Sequence, residues 1–158
     1  MANVYIDDGR LSIELPDGFA VMTLEQVQAL YGMNHKEMWG ARNESCKMVV
    51  TVIWKDLGGL AAKLSDNESF AKHIEKTLSR WYRASEYRFG GFFETTVAGK
   101  DAYGMRHTHV PEGIPQESEI VTFRNGKRRY TLYYYTRPEV AQENRPMYET
   151  MVASLALS

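Results

Sequence analysis

The chain has 158 residues, 44% of them apolar and 25% charged, with 19 Lys and Arg against 20 Asp and Glu and a net charge of −1. A composition this close to the soluble average excludes fibrous, low-complexity and largely disordered chains. Near-zero net charge supplies no whole-molecule field for nucleic acid or an anionic membrane surface, so neither is expected as a partner.

Charge is uneven along the chain: residues 1–60 carry 5 basic and 8 acidic side chains, whereas residues 97–137 carry 7 and 4. No stretch approaches the ~18 consecutive apolar residues of a membrane span, and Met1 to Gly9 lacks the basic-then-apolar form of an export signal. The one cysteine, Cys46, has no partner for an intramolecular disulfide, which points to a reducing compartment, the cytoplasm. No internal repeat and no Ser/Gly/Pro-rich linker divides the sequence, so residues 1–158 read as one domain.

Val4 to Ile6 and Leu11 to Leu15 flank Asp7-Asp8-Gly9-Arg10 and predict a hairpin. Thr23 with Gln26 three residues on has capping-box form ahead of Leu24, Val27 and Leu30, and Gly32 stands where a helix would end. Glu37 to Arg42 and Lys47 to Trp54 read as strands, the second apolar on both parities and therefore central. After a loop opening at Gly58-Gly59, Ser65 with Glu68 predicts the start of the longest helix, with Phe70, Ile74, Leu78 and Trp81 as its core stripe.

Phe89 to Val97 and Ala102 to Val110 are strands joined near Gly99-Lys100, and Glu117 to Arg124 pairs with Lys127 to Thr136 across Asn125-Gly126. Asn144 is placed as the cap of a final helix with Pro146 in its first turn and Tyr148, Met151, Val152 and Leu155 as its stripe. The order ββ-α-ββ-α-ββ-ββ-α predicts an α+β fold, an antiparallel sheet with flanking helices.

In that order the chain resembles the PsbP-like domain family, which includes bacterial DcrB-like proteins, Mog-type Ran-binding proteins and Eag-type chaperones of type VI secretion. The resemblance rests on Leu11-Ser12-Ile13-Glu14-Leu15-Pro16-Asp17-Gly18-Phe19, the Val49 to Trp54 strand before a helix, Gly99 to Tyr103, the Gly126 to Tyr135 strand and the closing Tyr148 to Leu155 helix. It implies an α/β/α sandwich that works as a small binding or assembly module without catalysis or cofactor. No functional residue carries over from it.

His107 and His109 share one strand face and could begin a metal site, but no third ligand stands at a local spacing, and no metal is expected. Arg88-Phe89-Gly90-Gly91-Phe92-Phe93 lacks the glycine order of RNA-stacking strands, and its glycines mark a bulge or a close backbone approach. The motif-borne chemistries (GxSxG, P-loop, HExxH) are missing, Cys46 reads as a small apolar filler, and no catalytic residue is assigned.

The densest signal is Tyr130-Thr131-Leu132-Tyr133-Tyr134-Tyr135. A two-residue hairpin over Asn125-Gly126 sets Val121 opposite Tyr130 and makes the face of Val121, Phe123, Tyr130, Leu132 and Tyr134 core. The opposite face then displays Thr122, Arg124, Arg129, Thr131, Tyr133, Tyr135 and Arg137, the Tyr and Arg mixture of protein interfaces. Arg124, Arg129, Tyr133, Tyr135 and Arg137 are therefore expected to receive a protein or peptide partner, and Tyr133→Ala or Arg129→Ala to weaken binding without loss of stability. A small-ligand protein or enzyme is the alternative, an Eag-like chaperone for a secreted effector the narrower form, and a homodimer is compatible with either.

Overall fold

The computed structural model describes residues 1–60 and 65–158, so the loop expected after Gly58-Gly59 lies partly outside the described residues. Two antiparallel sheets and three helices make up the described chain. β1 (Ala2–Ile6), β2 (Leu11–Leu15) and the short β10 (Ala156–Leu157) form a three-stranded sheet in the order β1-β2-β10.

The larger sheet contains β3 (Ala20–Val21), β4 (Met38–Asn43), β5 (Met48–Asp56), β6 (Arg88–Val97), β7 (Lys100–His109), β8 (Gln116–Asn125) and β9 (Arg128–Thr136). Its strands run β3-β4-β5-β9-β8-β7-β6, which puts the tyrosine-rich β9 at the centre. Helices α1 (Leu24–Tyr31) and α2 (Asn67–Trp81) lie on one face, and α3 (Ala141–Ala153) and the smaller sheet lie on the other. The expected α+β architecture is the one observed.

Local chemistry explains most boundaries. Thr23 and Gln26 close a full capping box on α1, and Gly32 ends it at φ +62. Two helix caps differ from the sequence reading. Asp66, not Ser65, caps α2 by accepting from the Ser69 N–H, while the Ser65 hydroxyl oxygen accepts from Arg129 and its carbonyl from Arg124 and Arg129. Helix α3 begins at Ala141, and Asn144 lies inside it, buried, donating to the Cys46 carbonyl and the Thr136 hydroxyl. The tie to β9 outweighs its capping propensity.

The β8–β9 hairpin turns over Gly126-Lys127, so Phe123 rather than Val121 faces Tyr130. Gly126 takes the first loop position at φ +63, which suits the glycine-first hairpin turn. A two-residue offset keeps parity, so the two faces hold the residues expected of them. Val121, Phe123, Tyr130, Leu132 and Tyr134 are all buried in the core shared by the two sheets. The glycine pair does mark a bulge: pairing slips between Phe89 and Gly91, and Gly91 sits at φ +113.

Candidate functional site

The opposite face of β9 divides into two parts. Toward its start, the face expected to be displayed is covered by the N-terminus of α2. Arg129 is buried, donates to Asn67, Thr122 and the Ser65 carbonyl, and lies 4.5 Å over the Phe70 ring. Burial pushes its guanidinium down to about 10. Arg124 holds the same Ser65 carbonyl and that of Gly126. Both arginines fasten α2 to the sheet, and Thr122 and Thr131 are buried beside them.

Toward the end of β9 the cover is incomplete. Tyr133 and Tyr135 are partly buried between α1 and α2, with Tyr31 from α1 at 5.3 and 6.5 Å between ring centres. The Tyr31 and Thr51 hydroxyls are hydrogen-bonded to each other. Tyr82, just past α2, stacks on His109 at 4.2 Å and 15°. Two adjoining cavities of about 150 and about 450 Å³ share Tyr31, Tyr82 and Tyr135 in their walls. Trp81 and Leu30 stand on the rims, 59% and 51% exposed, so the last member of the α2 stripe is not core. Arg137 lies beyond Tyr135 beside Arg42 in a further shallow cavity.

Neutral rings form the floor of the cleft, and Glu112 stands in its wall. Burial pushes Tyr31, Tyr133 and Tyr135 upward, so their hydroxyls stay protonated. Burial pushes His107 down to about 4, with His109 adding to the effect, and lowers His109 in the same way. The imidazoles lie 5.2 Å apart, flanked by Tyr82 and Tyr87, and among the described residues Nδ1 of each and Nε2 of His107 find no hydrogen-bond partner. Among the described residues no group of three His, Cys, Asp or Glu is placed to hold a metal. Cys46 is half-buried, and burial raises its thiol.

A second cleft, of about 780 Å³, lies on the other face between β6 and α3, and no local motif announced it. The Arg106 guanidinium lies 4.2 Å over the Phe93 ring and donates to Glu119 at 2.9 Å. Arg145 donates to the same Glu119 oxygen at 2.9 Å and to Glu149. Glu119 is buried, and Arg145 stands over Tyr148, itself stacked on Tyr134 at 3.9 Å. Its members come from β6, β7, β8 and α3, and the one trace in the sequence is the i,i+4 pair Arg145 and Glu149. Two guanidinium groups thus converge on one buried carboxylate and tie β7, β8 and α3 together.

No protein-family model matches the chain, and no curated protein matches it. Solved structures do. The chain aligns with the PsbP protein CyanoP of Synechocystis sp. PCC 6803 at a TM-score of 0.73 and 11% identity, over 99% of this chain and 92% of that one. The fold is PsbP-like. LpqN of Mycobacterium tuberculosis, described as involved in cell envelope biogenesis, aligns at 0.67 and 10% identity over 99% and 90%. A Bacteroides thetaiotaomicron protein aligns at 0.63 and 10%, the chain spanning 48% of its length. Identities this low establish the fold alone.

Proposed function

We propose that the protein is a non-enzymatic binding module that seats an apolar or aromatic peptide segment of a partner protein between α1 and α2. The observation that carries this reading is the partly open cleft of Tyr31, Tyr82, Tyr133 and Tyr135 under the exposed Leu30 and Trp81. Tyrosine and tryptophan rings offer large contact areas at small entropic cost and are the side chains most often found as anchors where partners bury surface. Protonated hydroxyls and a neutral His109 supply directed hydrogen bonds to a peptide main chain without demanding charge from it.

Tyr133 and Tyr135 keep their place in the proposed site, Arg137 lies outside it in the neighbouring cavity, and Arg124 and Arg129 act behind it as fasteners. An effector-specific chaperone is the narrower form of this proposal. Cytoplasmic work is proposed on the unpaired Cys46. The test is selection from a random peptide display library on the full chain, followed by amide-shift mapping. Selected peptides should share an apolar anchor and move α1 and α2 resonances. Trp81→Ala and Leu30→Ala should each weaken them by about 1 to 2 kcal/mol at unchanged melting temperature, as truncations of exposed anchors do. Peptides that shift other surfaces, or bind both variants undiminished, would overturn the assignment.

A further inference from the structure

β6 closes one side of the larger sheet, and among the described residues no strand pairs with its outer side. Val97 and Lys100 flank the Ala98-Gly99 turn, and the closing pair of a two-residue hairpin exchanges both main-chain hydrogen bonds. Alternation from that pair turns the N–H and C=O of Thr95 and Phe93 toward β7 and those of Phe92, Glu94 and Thr96 outward. Proteins blunt such edges with charged side chains, Lys above all, with Pro or with a bulge. Here the bulge at Gly90-Gly91 disturbs only the start of the strand. From Phe92 to Val97 there is neither Lys nor Pro, Glu94 is the one charge, and Glu94, Thr95 and Thr96 are exposed.

We infer that this edge pairs with β6 of a second copy of the chain, antiparallel across a two-fold axis at Thr95. Register selects the occupant. A centre nearer the N-terminus than Glu94 brings the bulge into the ladder, and one beyond Thr95 runs into the turn. Centring on Glu94 sets two carboxylates directly opposite, which is unfavourable. Centring on Thr95 instead pairs Glu94 with Thr96 and Phe93 with Val97, in both directions.

Each pair in that register is complementary. Glu94 and Thr96, whose main chains face outward, form the hydrogen-bonded pairs, with a hydroxyl donor beside a carboxylate. Phe93 against Val97 is an aromatic and β-branched pair on the opposite face, and because Val97 is already buried in its own core the pair fixes register rather than adding much buried area. The Phe93 ring is already held flat: a Cβ on Gly104 would stand 2.2 Å from it, and Arg106 covers its other side. Such a contact is short, so association is weak and concentration-dependent. It uses neither α1 nor α2 and stands independently of the proposed peptide cleft.

Cross-linking reads the register. Directly opposed residues without mutual hydrogen bonds approach to about 4.5 Å between Cα atoms, within disulfide range. With a mild thiol oxidant, full-length Thr95→Cys should give a dimer, bonded through position 95, roughly tenfold faster than Thr96→Cys, whose two copies are displaced from each other. Glu94→Pro removes an outward N–H that β7 does not use, and should abolish the rise of sedimentation-equilibrium mass with concentration seen for the unaltered protein. Monomeric mass into the millimolar range, equal cross-linking at both positions, or undiminished association of a folded Glu94→Pro variant would each overturn the inference. If that variant does not fold, the cross-linking ratio decides alone.

Discussion

His107 shows at the residue scale how burial changes what a side chain can do. Two histidines on one strand face suggested a ligand pair, but their surroundings are the rings of Tyr82 and Tyr87, and the imidazoles are kept neutral. Unfolded, His107 titrates near 6.5; folded, it titrates at about 4. Between those values the unfolded chain binds the extra proton, so stability falls as pH falls through the window, by about 3 kcal/mol in all, and is level above it. Urea midpoints at pH 7.5 and 4.5 should show the loss, and His107→Leu should remove most of it. Equal pH dependence in the two proteins would refute this account. Arg129 carries the opposite lesson. Because its donors hold Ser65, Asn67 and Thr122 in a buried site, Arg129→Ala should cost about 2 to 4 kcal/mol of stability, measured by denaturant unfolding. The sequence placed it on an open face with no such cost, since alternation assigns a side but not what covers that side.

At the scale of elements, turn and cap chemistry was legible where it is local. The α1 capping box, the Gly32 terminus and the Gly90-Gly91 bulge follow from backbone needs that only neighbouring residues meet. Asn144 and Ser65 were misjudged because distant groups claim them: Cys46 and Thr136 hold the first, and Arg124 and Arg129 hold the second. Strand pairing creates similar demands that no single strand announces. On β7, Gly104 is the residue over which Phe93 of β6 lies flat. Gly104→Ala should therefore destabilise by about 2 kcal/mol or more, as overpacking does. The same substitution in a Phe93→Ala background should cost far less, and a double-mutant cycle by thermal unfolding measures the coupling.

At the scale of the whole molecule, one buried carboxylate joins the two sheets. Asp7, in the β1–β2 turn, accepts two hydrogen bonds from Arg128 at 2.7 and 2.8 Å and one from the Tyr130 hydroxyl at 2.6 Å. Arg128 also holds Asp56 of β5, so three separate chain segments meet there. Asp7→Ala leaves the buried Tyr130 hydroxyl and one side of the partly exposed Arg128 guanidinium unpaired and should cost about 2 kcal/mol, with amide exchange accelerating first in β1 and β2. Exchange that rises evenly across both sheets would argue against a docking role.

The fold class, the order of the longer elements and the core face of β9 were determined by the sequence alone, because hydrophobic period, cap chemistry and turn residues act over a few residues, whereas the two-residue strands β3 and β10 exist only through their pairing partners. The resemblance to PsbP-like domains rested on the same signals, and the solved structures bear out the fold. Only the tertiary structure decided that α2 covers Arg129 while leaving Tyr133 and Tyr135 partly open, that Glu119 is clasped by Arg106 and Arg145, and that β6 is left at an edge. Those outcomes depend on which helix lies over which strand and on where the sheet stops, and both are set by contacts among residues far apart in the chain, which no local pattern encodes.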